Sequence, residues 1–360
     1  NINIKLKKGK NFGRFGKLAT GYGTGAHYEA DAMLNFFNKR TQFGSVAASN
    51  NVNKIGSEIS QLMENASYKG VGARIDYQSN FQTQGTSQPN QGGFIFQHDF
   101  IDNADYFNNH RLKGNYYFRN NTTNSTRNSE SIVNIVQGQQ LQSNNSSYET
   151  GVTSHNFNSS YEKKTKTGEV YLKPVFSMHH NTNNSEGFSS SSDEFGVLKS
   201  TNTNSGLSDD KNKSITIAGG YRKSSFFNNG ALTSRSLNLD YTVTLGDQQS
   251  DQHNRTQFRS LEDASENKHF ERTYQKASNF INQRIVFEVG QLRELFLKDR
   301  LSKIFELTFE NTLNTNVRKR DNLVNDIDSV SREAKSNSSL SLNSSFQSYT
   351  DNMSFNFQKH

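Results

Sequence analysis

The sequence predicts an all-β chain, namely part of a transmembrane antiparallel up-and-down β-barrel with about 13 strands. Three observations predict it. First, apolar and polar residues alternate over runs of about 9–12 residues, which suits a membrane strand of ~9–11 residues better than the usual ~5–6. Second, the connectors between these runs are short and long in turn. Third, the chain is polar, since 31% of it is hydrophobic and the mean hydropathy is -0.86. Its aromatic content of 11% nevertheless argues against disorder, because disordered chains are poor in aromatic residues.

The alternation is clearest near residues 234–246. There Leu237, Tyr241 and Leu245 lie on one side of the chain, while Asn238 and Thr242 lie on the other. The same reading applied along the chain gives a strand at each of thirteen places: 15–22, 28–36, 41–49, 92–101, 111–120, 151–162, 168–180, 213–223, 234–246, 279–290, 301–315, 338–347 and 352–359.

The connectors follow a pattern that is typical of outer-membrane barrels, which have short periplasmic turns and long extracellular loops. Gly23 to His27 breaks the pattern, since it is short where a long loop is due. The long connectors are rich in Asn, Ser and Thr, and we expect them to be solvated, mobile loops. They are 50–91, 121–150, 181–212, 247–278 and 316–337. The short ones are 37–40, 102–110, 163–167, 224–233, 291–300 and 348–351.

Aromatic or apolar clusters lie in or beside several short turns. They are Phe36 with Phe37, Tyr106 with Phe107, Phe226 with Phe227, and Leu295 with Phe296 and Leu297. An aromatic girdle at the membrane interface accounts for them, although a small apolar plug under each hairpin is an alternative. Charged residues share the opposite side of the strands from the apolar ones, and they predict a wall of a water-filled lumen or, alternatively, the solvent face of a soluble sheet. They are Glu29, Asp31, Arg222, Asp240, Glu288, Glu306 and Glu310.

The sequence offers no catalytic, cofactor-binding or metal site, and we expect no enzyme. The absence of Cys excludes disulfides, thiol nucleophiles and Cys-ligated metals. The glycines of 21–25 lack the spacing of a dinucleotide loop and are interpreted as a hairpin turn. His179 and His180 should face opposite sides of a strand, so that with His155 they make a poor metal site.

Two groups of acidic residues are candidates for a calcium site and for a carboxylate pair. Asp321, Asp326 and Asp328 resemble part of a calcium loop but lack its glycine and terminal Glu, so that calcium in an external loop stays an alternative. Asp209 and Asp210 lie in a polar stretch, and we expect no catalytic pair there. The pI of ≈ 9.3 comes from scattered cations, of which 318–320 (Arg-Lys-Arg) are the densest group, and it does not predict nucleic-acid binding.

Several segments resemble a known family. They are 2–10 (INIKLKKGK), 16–24 (GKLATGYGT), 28–30 (YEA), 35–38 (NFFN), 50–53 (NNVN), 113–118 (KGNYYF), 172–177 (LKPVFS) and 235–239 (RSLNL). In this order they are similar to the barrel of TonB-dependent-receptor-like outer membrane proteins, closest to the outer membrane protein beta-barrel family common in Bacteroidetes. The chain departs from the family's pattern at 54–91, which is long, and at 288–291 (EVGQ), where the family tends to have another turn.

The resemblance implies a barrel fragment without its plug. Residues 1–10 would end the plug or its linker, and residues 11–360 would form the N-terminal and middle part of the barrel, with C-terminal strands missing. It also implies ligand binding and uptake across the outer membrane of a Gram-negative cell. The implied partners are outer membrane lipid, the missing plug domain and a TonB-type energy-coupling complex acting through the plug. Whether a surface lipoprotein caps the barrel stays open. Two alternatives stay open, namely a structural or adhesive barrel without transport, and a soluble secreted β-protein.

Overall fold

The computed structural model describes residues 12–68, 85–102, 104–105, 108–135, 138–223, 227–228, 231–232, 236–290, 292 and 305–359. The elements in chain order are β1 (Gly13–Tyr22), β2 (Tyr28–Phe37), β3 (Thr41–Asn50), α1 (Ile59–Tyr68), β4 (Thr86–Asp99), β5 (Asn109–Ile135), β6 (Gly138–Thr165), β7 (Gly168–Asp193), β8 (Leu198–Lys223), β9 (Phe227–Asn228), β10 (Ala231–Leu232), β11 (Leu237–Ser260), β12 (Lys268–Val289), β13 (Phe305–Ile327), β14 (Ala334–Ser336) and β15 (Leu342–Lys359). Short 3-10 turns at Thr24–Ala26 and Ala264–Glu266 close two of the hairpins.

The strands form one large antiparallel up-and-down sheet, which confirms the all-β prediction. Thirteen strands belong to it, in the order β1 to β8 and then β11 to β14, with β15 also on β13. Within the described part of the chain the sheet is twelve strands wide, because β14 and β15 pair with successive parts of the same edge of β13. The sheet is not closed, since β1 and β15 pair with no strand on their outer sides in the described ranges. A separate two-stranded ladder joins β9 to β10.

The long loops expected at 121–150, 181–212, 247–278 and 316–337 are the main error of the sequence analysis. The strands instead continue through these segments, so that β5 to β8 reach 26 to 28 residues and turn only at their tips. We call these continuations, residues 120–153, 181–211, 247–278 and 319–336, the upper hairpins. Most of their side chains are polar on both faces, so the sequence shows no clear alternation there. The backbone ladders nevertheless continue from the apolar part below, with a register shift at Ser191 and Ser192 of β7.

Three further boundaries differ from the predictions. Residues 338–347 and 352–359 are not two strands with a turn at 348–351, because β15 pairs continuously with β13 from 342 to 359. The connector 50–91 is shorter than expected, since β4 begins at Thr86, and it contains α1. The connector 224–233 holds the two-residue strands β9 and β10.

The connector 291–300 and the clusters at 106–107 and 295–297 lie outside the described residues apart from residue 292.

A small apolar core lies between α1 and one face of β2 to β5. Met33, Val46 and Ala48 of the sheet pack against Ile59 and Leu62 of α1. Tyr117 of β5 completes the cluster, with Met63 at its margin. This is the main place in the described chain where apolar side chains are fully buried, apart from Val324 on β13.

Candidate functional site

The two faces of the large sheet have opposite character. We call the side that carries Leu245 the apolar face and the side that carries Asp240 the polar face. The pairing register is continuous, so residues that pair from strand to strand share one face. One row crosses the apolar face through Leu34, Ser45, Phe94, Tyr116, Phe157, Phe176, Ile215, Leu245, Ile281 and Val317.

Below this row most side chains of the apolar face are hydrophobic, and Gln283, Thr315 and Asn311 are among the polar exceptions. On β11 it continues through Val243, Tyr241 and Leu239 to Leu237, eight residues from Leu245. That spacing corresponds to about 26 Å at ~3.3 Å per residue. We call this zone, bounded on β11 by Leu237 and Leu245, the apolar band. Above it the same face turns polar at once, with Asp247 next on β11.

The side chains of the apolar band are exposed. Leu239 and Leu245 are both 43% exposed, Ile215 is 44% exposed and Ile281 is 41% exposed. In addition, cations flank the band on β8, where Lys213 above and Lys223 below share the apolar face and are both exposed. Large contiguous apolar patches are uncommon on monomeric soluble proteins and are typical of surfaces that contact another protein or a membrane.

The polar face carries the charged residues that the sequence analysis placed together. Glu29, Asp31, Arg222, Asp240, Glu288 and Glu310 all lie on it, as their pairing register shows. Their common face is therefore confirmed; the side chain of Glu306 lies outside the described residues. Asn, Ser and Thr fill the positions between them, for example Ser177 with Ser214 and Thr216 with Thr244, whose hydroxyls lie 2.7 and 3.0 Å apart.

Residues 51–68 cover part of the polar face beside the N-terminal strands. Asn50, 1% exposed, holds the start of this segment, because its side-chain oxygen accepts hydrogen bonds from the Val52 and Lys54 amides, both at 3.1 Å. The Gly56 amide donates to Gln91 Oε1 at 3.0 Å, and the Tyr117 hydroxyl donates to the Gly56 carbonyl at 2.5 Å. We call residues 51–68 the inner segment.

The inner segment was not predicted from the sequence, and few features of the sequence indicate it. Its ion pair joins Lys54 to Glu29, one of the charges assigned to the polar face. Beside α1 a cavity of ≈ 670 Å³ opens on the same face, with Asn35, Gln42 and Lys113 in its lining. The long connector 50–91 was the only signal that an extra element was present.

The upper hairpins are fastened to one another at their tips. Lys199 of β8 binds Asp193 at 3.4 Å and also Glu262 at 2.7 Å, which joins the tip of β7 and β8 to the tip of β11 and β12. The Asp193 carboxylate accepts hydrogen bonds from the Val197 and Phe195 amides, and these contacts lower its pKa. These contacts join the polar tips of two neighbouring hairpins.

A second fastening surrounds Glu271 of β12, whose side chain is 1% exposed. Arg332, in the turn after β13, binds both carboxylate oxygens, at 2.5 and 3.0 Å. The imidazoles of His253 and His269 lie 2.8 and 3.4 Å from the carboxylate. Hydrogen bonds from Arg332, and then from His253, lower the pKa of Glu271 to about 2 despite its burial.

The glycine and histidine motifs of the sequence lie at separate places in the sheet. Residues 21–25 end β1 and form the hairpin turn expected of them, in which Gly25 has a positive φ of 71. His179 and His180 face opposite sides of β7, and His180 Nε2 lies 2.9 Å from Asp209. His155 lies elsewhere, 2.7 Å from the Tyr116 hydroxyl.

The three aspartates do not converge either. Asp321 faces the apolar side of β13, and Asp326 binds Arg272 at 2.5 Å on the polar side. Asp328 caps the turn by accepting hydrogen bonds from Val330 and Ser331. Among the residues that the structure describes, no cluster of three or more His, Asp or Glu could hold a metal ion.

Two further results concern membrane helices and similar proteins. The described ranges contain no helix that is both long and apolar enough to cross a membrane. No protein-family model, curated protein or solved structure matches this chain.

Proposed function

We propose that this chain forms part of the wall of a transmembrane β-barrel in the outer membrane of a Gram-negative cell. The apolar band carries the proposal: one face of a broad antiparallel sheet is hydrophobic, exposed and about as tall as the ~25 Å apolar belt of an outer-membrane barrel. In this arrangement the apolar band contacts lipid, the polar face lines water, and the upper hairpins project outside the cell.

The energetic argument is that a sheet with one exposed apolar face is disfavoured in water but favoured in a bilayer. Burying apolar area stabilises by about 25 cal/mol per Å². The backbone groups at the outer sides of β1 and β15 would be costly in lipid, so the proposal requires both edges to be paired there.

The resemblance in the sequence motivates the finer part of the proposal, which is a receptor of the TonB-dependent type that captures a ligand and admits it through the lumen. Transport of this kind would also need a plug domain, whose end the resemblance assigns to residues 1–10, and an energy-coupling complex. The inner segment supports a lumen that is partly filled on the side of β2 to β5. An adhesive barrel is the second candidate, and the long upper hairpins with their joined polar tips favour it.

Fractionation of the protein from a Gram-negative host tests the proposal. We expect it in the outer membrane, extractable only with detergent, with an electrophoretic mobility that changes on heating. Recovery in the aqueous fraction without detergent would contradict the membrane wall and favour a soluble secreted β-protein. Loss of ligand uptake, with ligand binding retained, on removal of the energy-coupling complex separates the receptor from the adhesive barrel.

A further inference from the structure

The densest group of cations in the sequence, at 318–320, is divided between the two faces of β13. Arg318 pairs with Phe280 of β12 and Arg320 pairs with Ser278, which places both arginines on the polar face. Lys319 pairs with Asn279 and lies on the apolar face. On the neighbouring strand Lys276 shares the polar face and lies diagonally next to Arg320.

These three cations have no anionic partner in the described chain. None of Lys276, Arg318 and Arg320 lies within 4.0 Å of a carboxylate oxygen among the described residues. The surrounding acidic residues do not neutralise these cations. Asp326 binds Arg272, and Asp210 lies on β8, separated from Lys276 of β12 by Ser250 of β11. Three positive charges therefore lie on one small area of the polar face.

Polar atoms in the same area also lack hydrogen bonds. The Nε atom of Arg318 and the Oγ atom of Ser278 are buried from solvent and have no partner. The Arg318 guanidinium lies over the Phe280 ring, 5.3 Å from its centroid, and a ring face accepts no conventional hydrogen bond. Buried polar groups without partners are rare and costly in native proteins, which indicates that a further group completes this area.

The geometry points to an anion-binding site formed by Lys276, Arg318 and Arg320 with the Ser278 hydroxyl, which recognises a carboxylate or phosphate group of a ligand. Arginine suits such groups, because its guanidinium can donate two parallel hydrogen bonds to one oxyanion. The site lies just above Val317 and Ile281, the upper row of the apolar band. On the proposed function it would therefore lie on the water-filled side at the outer mouth of the wall.

Direct titration tests the site. The folded full-length protein in a neutral detergent at low ionic strength is titrated calorimetrically with citrate, with inorganic phosphate and with dihexanoyl phosphatidate. The variants are R318Q, R320Q and the matched control K319Q, which removes the same charge from the same strand but on the other face. We expect R318Q and R320Q each to weaken binding by about tenfold, the ratio that corresponds to ~1.4 kcal/mol, and K319Q to leave it unchanged.

The outcomes separate the sources of the anion. Binding of citrate or phosphate supports the site with a dissolved ligand, whereas binding of the phosphatidate alone, with the same pattern of variants, supports it with a lipid headgroup. Equal weakening by K319Q, or no binding of any of the three anions, overturns the site. Because the titration is done in detergent, its failure leaves the membrane wall standing, and failure of the membrane wall leaves the titration interpretable.

Discussion

Substitution of Ile217 by arginine tests whether the apolar band contacts lipid or water. Ile217 lies on β8 within the band and pairs with Pro174 and Val243 on its neighbours. On the same face Lys213 lies four residues above it and Lys223 six residues below, about 13 and 20 Å away at ~3.3 Å per residue. Ile217 is therefore close to midway between the two cations that flank the band, and it is 41% exposed.

The magnitude depends on the phase that meets the band. Arginine near the middle of a bilayer, on the lipid face of a barrel, costs about 2–4 kcal/mol. An exposed substitution on a sheet in water usually changes stability by less than ~0.5 kcal/mol. We thus expect I217R to lower the free energy of unfolding by about 2–4 kcal/mol in lipid.

The assay is urea unfolding in phosphatidylcholine vesicles, followed by circular dichroism and by electrophoretic mobility. N282R is the control, because Asn282 lies at a similar height on the polar face, exposed and between Thr244 and Asn316. We expect N282R to be nearly neutral. A loss below ~0.5 kcal/mol for I217R, or equal losses for the two variants, would refute the assignment of lipid to the apolar band.

Two further predictions concern the polar regions. The lowered pKa of Glu271 means that its contact with Arg332 stabilises the neighbouring turn above the ordinary pKa of 4.5, and that this contribution is lost as pH falls toward about 2. The protection factors of the amides in the turn 328–333 against hydrogen exchange should therefore be steady from pH 7 to about 5 and fall below it, whereas an E271Q variant should show no such transition. Y117F leaves the buried Gly56 carbonyl without its donor, so it should weaken docking of the inner segment by about 1–3 kcal/mol, seen as faster proteolysis within 51–62; equal protection in both proteins would contradict this role.

The apolar part of the sheet was predictable because its two faces differ in polarity, and in a strand this difference appears as alternation along the sequence. Leu237, Tyr241 and Leu245 announce both the strand and its face, and the register carries that face across to its neighbours. The shared polar side of Glu29, Asp240 and Glu288 was predictable for the same reason.

The upper hairpins and the inner segment were not predictable in this way. Residues such as 143–147 and 201–213 are polar on both faces of the strand, so that a ladder and a loop have the same hydropathy pattern. There the ladders continue from the apolar part below, although the local sequence shows no alternation. The inner segment depends on distant partners, since Tyr117 and Gln91 fix Gly56 from strands further along the chain.

The anion-binding site shows a similar limit. A run such as 318–320 gives a count of cations, but only the strand assignment reveals that Arg318 and Arg320 share a face which Lys319 does not. The predicted loop at 316–337 concealed that division.

The most direct measurement of the central claim uses single cysteines, which this chain without native Cys allows. An environment-sensitive fluorophore is attached at L239C, in the apolar band, and at T242C, three residues on and on the polar face of β11. In vesicles that contain spin-labelled lipid, we predict quenching by the lipid at L239C and quenching by aqueous iodide at T242C. Iodide quenching at both positions, with no effect of the lipid, would contradict a membrane wall and leave the apolar band facing water or another protein.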